Sequence, residues 1–145
     1  MQPLIHPNND IFRFTATSHT RWSDEDSLGV LNNAVYLTLL EEARFQYFAN
    51  LKLLHLSKQF NFVLGETQIR FLNPGKAPEK VNIDISTNSL GNSSFSQKYR
   101  VYHPKSQEIW AIAEAKLVIW DNQKRQSAKI PDVFREAVKE FEGLE

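Results

Sequence analysis

The chain has 145 residues, 41% of them hydrophobic and 12% aromatic, enough to build one core and against the disordered and fibrous classes. Seventeen basic and seventeen acidic residues cancel, and no basic stripe with interleaved aromatics breaks the balance, which argues against a nucleic-acid partner. Cysteine is absent, which excludes disulfides, thiolate metal sites and a cysteine nucleophile and fits a reducing compartment.

In chain order, residues 1–10 hold no apolar core of secretory length. No apolar run approaches the ~20 residues of a membrane span, so a cytoplasmic location without membrane attachment is expected. Residues 11–22 are rich in β-branched and aromatic side chains and predict a first strand with Phe12, Phe14 and Ala16 on one face. Ser23 to Gly29 is polar, turn-forming and closed by glycine, and reads as a loop. Asn32 or Asn33 then caps a helix from Ala34 to about Leu51. Apolar residues at 36, 39, 40, 43 and 47 follow the helical period, and others at 35, 37, 45, 48 and 51 make the helix apolar over much of its girth. Such a helix needs a wrapping.

Residues 61–73, 80–89, 94–103 and 108–120 supply it, each alternating with the period of a strand, as in Val81, Ile83 and Ile85. Asn73-Pro74-Gly75, Leu90-Gly91-Asn92 and His103-Pro104-Lys105 punctuate them, and such short connections predict antiparallel neighbours. Ile130-Pro131-Asp132 opens a short amphipathic helix with Val133, Phe134, Ala137, Val138 and Phe141 apolar. Without a repeat, linker or low-complexity tract, residues 1–145 read as a single α+β domain in which an antiparallel sheet of about five strands wraps one long helix. His6, His19, His55 and His103 sit on separate segments without ligand spacing, so neither a metal nor another cofactor is expected.

Residues 21–44 carry the most specific pattern: Asp24 and Asp26 after a strand, Gly29 three residues on, Asn32-Asn33 at the helix start, Tyr36 in the first turn, and Glu42-Ala43-Arg44 beyond. In this constellation the chain resembles the hotdog-fold acyl-CoA thioesterases of the 4-hydroxybenzoyl-CoA thioesterase type, and the later strands fit that layout. The resemblance implies hydrolysis of an acyl-CoA to free acid and coenzyme A, with Asp26 as nucleophile or general base. It implies that the backbone N–H of Asn33 receives the oxyanion, a task suited to the free amides and positive dipole end of a helix N-terminus. Gly29, Asn32, Tyr36 and Ser94 are the implied substrate-binding positions. A homodimer or homotetramer with the site at the subunit junction is implied too, and Trp110, Trp120 and Tyr99 are candidates for those contacts.

Other readings stand beside these. Asp24 and Asp26 also suit turns that hydrogen-bond their own backbone, Gly29 suits a positive φ, and Tyr36 suits core or interface packing. Relatives often carry histidine after the glycine, where Val30 stands here, and Val30-Leu31 counts against a hotdog hydratase. Gly91-Asn92-Ser93 replaces basic residues that some members direct at coenzyme A phosphates. A non-catalytic acyl-binding hotdog protein is therefore the alternative function.

Overall fold

The computed structural model describes residues 11–54 and 61–145. The N-terminal stretch read for a leader, and His6 and His55, lie outside them. Strand β1 (Phe14–His19) leads through a single 3-10 turn at Trp22–Asp24 into helix α1 (Val35–Asn50). Then come β2 (Asn61–Phe71), β3 (Lys80–Leu90), β4 (Ser94–Tyr102), β5 (Ile109–Asp121), the two-residue β6 (Gln126–Ser127) and helix α2 (Asp132–Glu142).

One antiparallel sheet runs in the order β1-β3-β4-β5-β2, with β6 paired to the end of β5. The long helix set against a sheet is the predicted architecture, and β6 is an addition too short to carry a periodic signal. The prediction that short connections join neighbours holds for β3-β4 and β4-β5 but not for β2 and β3. Strand β2 pairs with β5, Phe62 opposite Ile119 and Ile69 opposite Ala113, and so becomes a sheet edge. The chain from 72 to 79 thus crosses the sheet end, and this crossing later meets the start of α1.

Strands β1 and β4 turn alternate residues inward, β3 and β5 are buried over longer runs, and β2 is at most half-buried. Ala16, Val81, Ile83, Ile85, Phe95, Val101, Leu117 and Ile119 are at most 1% exposed. Tyr36, Leu39, Leu40, Ala43, Tyr47 and Phe48 of α1 pack with them in one cluster. Helix α1 lies closest to β1 and β3. It ends at Lys52, whose φ of 60° is left-handed, with Leu53 N–H donating to Phe48 O at 2.9 Å and Lys52 N–H to Ala49 O at 3.0 Å. That is the glycine-type helix stop made by a lysine. Phe12 precedes the strand instead of sharing its inner face with Phe14, and the Arg100 guanidinium sits 5.0 Å from its ring centroid.

A polar thread crosses this core. Arg44 Nη1 donates to Tyr99 Oη at 2.9 Å, Tyr99 Oη to Gln97 Oε1 at 2.6 Å, and Gln97 Nε2 to Thr87 Oγ1 at 3.2 Å. Thr87 N–H and Tyr47 Oη both donate to Glu142 Oε2, at 2.7 and 2.8 Å, which ties the end of α2 to α1 and β3. Burial pushes the Tyr99 hydroxyl up to about 12 and the Tyr47 hydroxyl higher, so both remain donors at any working pH. Tyr99 and Trp110, each 1% exposed, fill the core and are not surface contacts.

Helix α2 closes one side of the core through Phe134, 1% exposed, with Phe95 and Phe48 ring centroids at 5.2 and 5.4 Å. Replacing Phe134 by alanine removes a buried ring and leaves a cavity, so unfolding in urea is expected to show a loss of about 3–5 kcal/mol. A loss below about 1 kcal/mol would mean that α2 is not part of the cooperative unit.

Candidate active site

The loop between β1 and α1 is fixed at both ends to the same end of the sheet. Thr20 N–H donates to Glu79 O at 2.8 Å and Thr20 Oγ1 to Lys76 O at 2.7 Å. Asp24, 5% exposed, then accepts Arg21 N–H at 2.8 Å and Arg21 Nη2 at 2.9 Å. Its own carbonyl receives Asn32 N–H at 2.8 Å. The Arg21 guanidinium holds the Asp24 carboxyl below the usual carboxylate range. Asp24 is therefore the turn-forming residue that its loop position suggests.

Between these anchors the chain makes a narrow tongue. Glu25 and Leu31 form a bridge, Asp26 N–H donates to Val30 O at 2.8 Å, and Gly29 N–H donates to Asp26 O at 3.1 Å. Gly29 has φ of 77°, the left-handed conformation expected of it. Asp26 sits at the tip and is exposed. Its Oδ1 accepts Leu28 N–H at 2.8 Å and Val30 N–H at 3.3 Å, while no hydrogen bond reaches its Oδ2 among the described residues. The carboxylate thus bonds the loop's own amides and not those of α1.

The regular helix begins at Val35, one residue later than expected, and its N-cap position, Ala34, has no side-chain cap. Of the two asparagines expected to serve the helix start, Asn32 does so from three residues ahead: its Oδ1 accepts Ala34 N–H at 3.0 Å and its carbonyl accepts Val35 N–H at 3.0 Å. Asn33 is exposed and its carbonyl takes Tyr36 N–H at 3.3 Å. The Asn33 amide itself makes no hydrogen bond among the described residues. At the positive end of a sixteen-residue helix, such an amide is a ready donor to an oxyanion.

Behind the tongue, Leu31 N–H donates to Gly75 O at 2.9 Å. Gly75 leaves no room for a side chain: a Cβ there would stand 2.7 Å from Tyr36 Oη and 2.9 Å from a Trp110 ring carbon. The crossing segment therefore presses directly on the first turn of α1. Tyr36 is 2% exposed, edge-on to Phe71 at 5.1 Å between centroids, and its hydroxyl is pushed up to about 12 by burial. Tyr36 belongs to the core, and its contribution here is to seat the helix start. Gly75 was readable in the sequence only as a turn glycine, because its crowding comes from residues far off in the chain.

Asp26, Gly29, Asn32 and Asn33 are thus together on one loop, with Tyr36 below it. Ser94 is not with them within one chain. It begins β4 at the Leu90 end of β3, whereas the tongue adjoins the Lys80 end, where Lys80 pairs with His19. No cluster of three or more histidine, aspartate or glutamate side chains suited to a metal occurs among the described residues. None of their helices is long and apolar enough to cross a membrane.

Residues 20–138 match the family described as the thioesterase-like superfamily. An uncharacterized protein of Bacillus subtilis (strain 168), YsmA, is 30% identical over 88 residues, which are 61% of this chain and 60% of that protein. The chain thus matches less than two thirds of that relative's length. Among solved structures, a thioesterase of Thermus thermophilus complexed with coenzyme A and zinc is 29% identical with a TM-score of 0.78, covering 91% of this chain and 96% of the other. The 1,4-dihydroxy-2-naphthoyl-CoA thioesterase of Synechocystis, 19% identical, shares the fold with a TM-score of 0.77 over 86% of this chain and 94% of its own.

Asp24→Asn is expected to cost roughly 1–3 kcal/mol at neutral pH, since a buried acceptor loses its charge-assisted bonds. Because the folded pKa of Asp24 is depressed, its contribution is complete above the unfolded value of about 3.9 and fades as pH falls through the folded one. Urea unfolding of both proteins across the acid range should show the stability gap closing as acid is added. A gap independent of pH would contradict the role given to the Arg21 pair.

Proposed function

Since this chain belongs to the thioesterase-like superfamily, we propose that it hydrolyses an acyl-CoA to a free acid and coenzyme A, with Asp26 as the working carboxylate and Asn33 N–H as the oxyanion donor. The observation that carries this reading is that Asp26 Oδ2 and the Asn33 backbone amide have no hydrogen-bond partner among the described residues and both stand on one anchored loop. As general base, Asp26 takes a proton from water while the water oxygen attacks the thioester carbonyl carbon. The negative charge gathers on the carbonyl oxygen against Asn33 N–H and the helix dipole. The C–S bond then breaks, and the departing thiolate receives the proton. As nucleophile, Asp26 would instead form an acyl anhydride and release coenzyme A before water cleaves the anhydride. Gly29 and Asn32 shape the floor against which the thioester lies, and Tyr36 supports it from beneath.

The same reading calls for a second copy of the chain. Strand β2 is a sheet edge, and Val63, Leu64, Phe71 and Leu72 on or just beyond it remain 39–44% exposed. Leu37 and Phe45 of α1 are 42% and 62% exposed. An open edge beside apolar side chains favours pairing with a like edge, as a homodimer or a homotetramer built from two. In that assembly Ser94 would reach a site only from the partner subunit. The reaction is placed in the cytoplasm, as the cysteine-free composition suggests.

The alternative of a non-catalytic acyl-binding protein is favoured by one observation, the engagement of Asp26 Oδ1 with Leu28 and Val30 amides. Asp26→Asn separates the two. It keeps an oxygen for those amides, so the melting temperature should hardly move while release of coenzyme A, followed with a thiol reagent over an acyl-CoA panel, falls about 100-fold or more. Undiminished release would remove Asp26 from the mechanism. Sizing chromatography should show at least a dimer, and introducing a charge by Leu64→Lys should shift it toward monomer. A monomeric wild type would overturn the paired arrangement.

A further inference from the structure

Along the outer side of α1 lies a cavity of about 530 Å³. Phe45 and Phe48 of the helix, Leu53 and Leu54 after it, Phe62 of β2 and Phe134 of α2 form its apolar walls. The volume falls in the range of about 300–1,000 Å³ common for small-molecule sites. A single buried cation, Arg44, lines it as well.

Arg44 is 7% exposed; among the described residues its Nη1 alone is engaged, with Tyr99 Oη, and its Cζ stands 5.8 Å from the Tyr99 ring centroid. No carboxylate lies within ion-pairing distance of it among the described residues, and Nε and Nη2 meet no acceptor there. A guanidinium drawn out of water without a counter-ion is costly, and its Nε–Nη2 edge is the fork that grips a carboxylate with two parallel bonds. The protein therefore places an unmatched positive charge against a wall of phenylalanine and leucine. A molecule that satisfies both must have an apolar body and an anionic oxygen pair.

We propose that this cavity binds a monocarboxylic acid with an apolar body, its carboxylate on Arg44 Nε and Nη2 and its body among the Phe and Leu side chains, for which decanoate serves as the probe. Glu41 and Glu42 also line the cavity, and both would repel such a ligand. Each is exposed, so water and salt screen its charge, whereas Arg44 is shielded from that screening. Glu42 Oε2 is further occupied by the Ser18 hydroxyl at 2.5 Å. The inference goes beyond hydrolysis and does not rest on it, because the free acid is bound in the absence of any thioester.

Isothermal titration of the full chain with decanoate and with 1-decanol at neutral pH tests it. Decanoate should bind one per chain and more tightly than the alcohol. Arg44→Gln, which keeps a donor for Tyr99, should weaken decanoate by about tenfold or more and leave the alcohol within about twofold. Glu41→Gln should tighten decanoate by about twofold without moving the alcohol. Should Arg44→Gln fail to fold, Phe45→Asp at a 62% exposed position sets a carboxylate against the chain and should abolish binding of both ligands. The proposal is overturned if the wild type binds neither ligand, if Arg44→Gln weakens acid and alcohol alike, or if Phe45→Asp leaves decanoate binding intact. Loss of thioester hydrolysis with acid binding intact would count against the catalytic reading alone.

Discussion

Helix α1 carries more apolar surface than one sheet can cover, and most of the molecule follows from that excess. Its inner side, with Leu39, Leu40, Ala43, Tyr47 and Phe48, is buried in the core, where each Å² of apolar surface removed from water contributes roughly 25 cal/mol. Leu37 and Phe45, 42% and 62% exposed, lie on the part of the helix that the sheet leaves bare. They leave an apolar flank beside the open edge of β2 and along the cavity at Arg44. A filled core, exposed apolar side chains near the edge strand and the cavity at Arg44 are thus three outcomes of one over-hydrophobic helix.

The start of that helix is held with corresponding firmness. Asp24, Gly75 and Tyr36 act as a clamp: one fixes the entering loop, one brings a bare backbone against it, and one fills the space beneath. A helix amide directed at a reacting oxygen is useful only if its direction does not wander, since a displacement of about 1 Å can remove much of its effect. The clamp supplies this rigidity from residues that themselves need not touch a substrate.

Much of this was legible in the sequence. The 3.6-residue period of 36, 39, 40, 43 and 47 located α1, and alternation located the long strands, because both patterns record how often a chain turns the same face inward. Pro131 marked the start of α2 for a local reason, its fixed φ. Strand partners were not legible: β2 alternates as well beside β5 as it would beside β3, and period says nothing about which neighbour wins. The end of α1 falls where the pattern put it, near Leu51, but the left-handed Lys52 that makes the stop was not legible, because packing and the bonds to Phe48 and Ala49 override the absence of glycine. The burial of Gln97, Thr87 and Glu142 leaves no mark in the sequence, since the bonds that satisfy them are tertiary. At the candidate site, the grouping of Asp26, Gly29, Asn32 and Asn33 was legible as one loop, and the bonds of the Asp26 carboxylate to the Leu28 and Val30 amides are the local backbone role that an aspartate in such a loop also suggests.

The register of β2 against β5 slips between Leu64 and Glu66, around Gly65. This bulge breaks the outermost strand into two short stretches with different twist. A straight extended peptide laid along this edge meets a break in the regular row of free amides and carbonyls. Irregularities of this kind blunt open-ended edge-to-edge stacking, and this one sits on a strand at the sheet's edge.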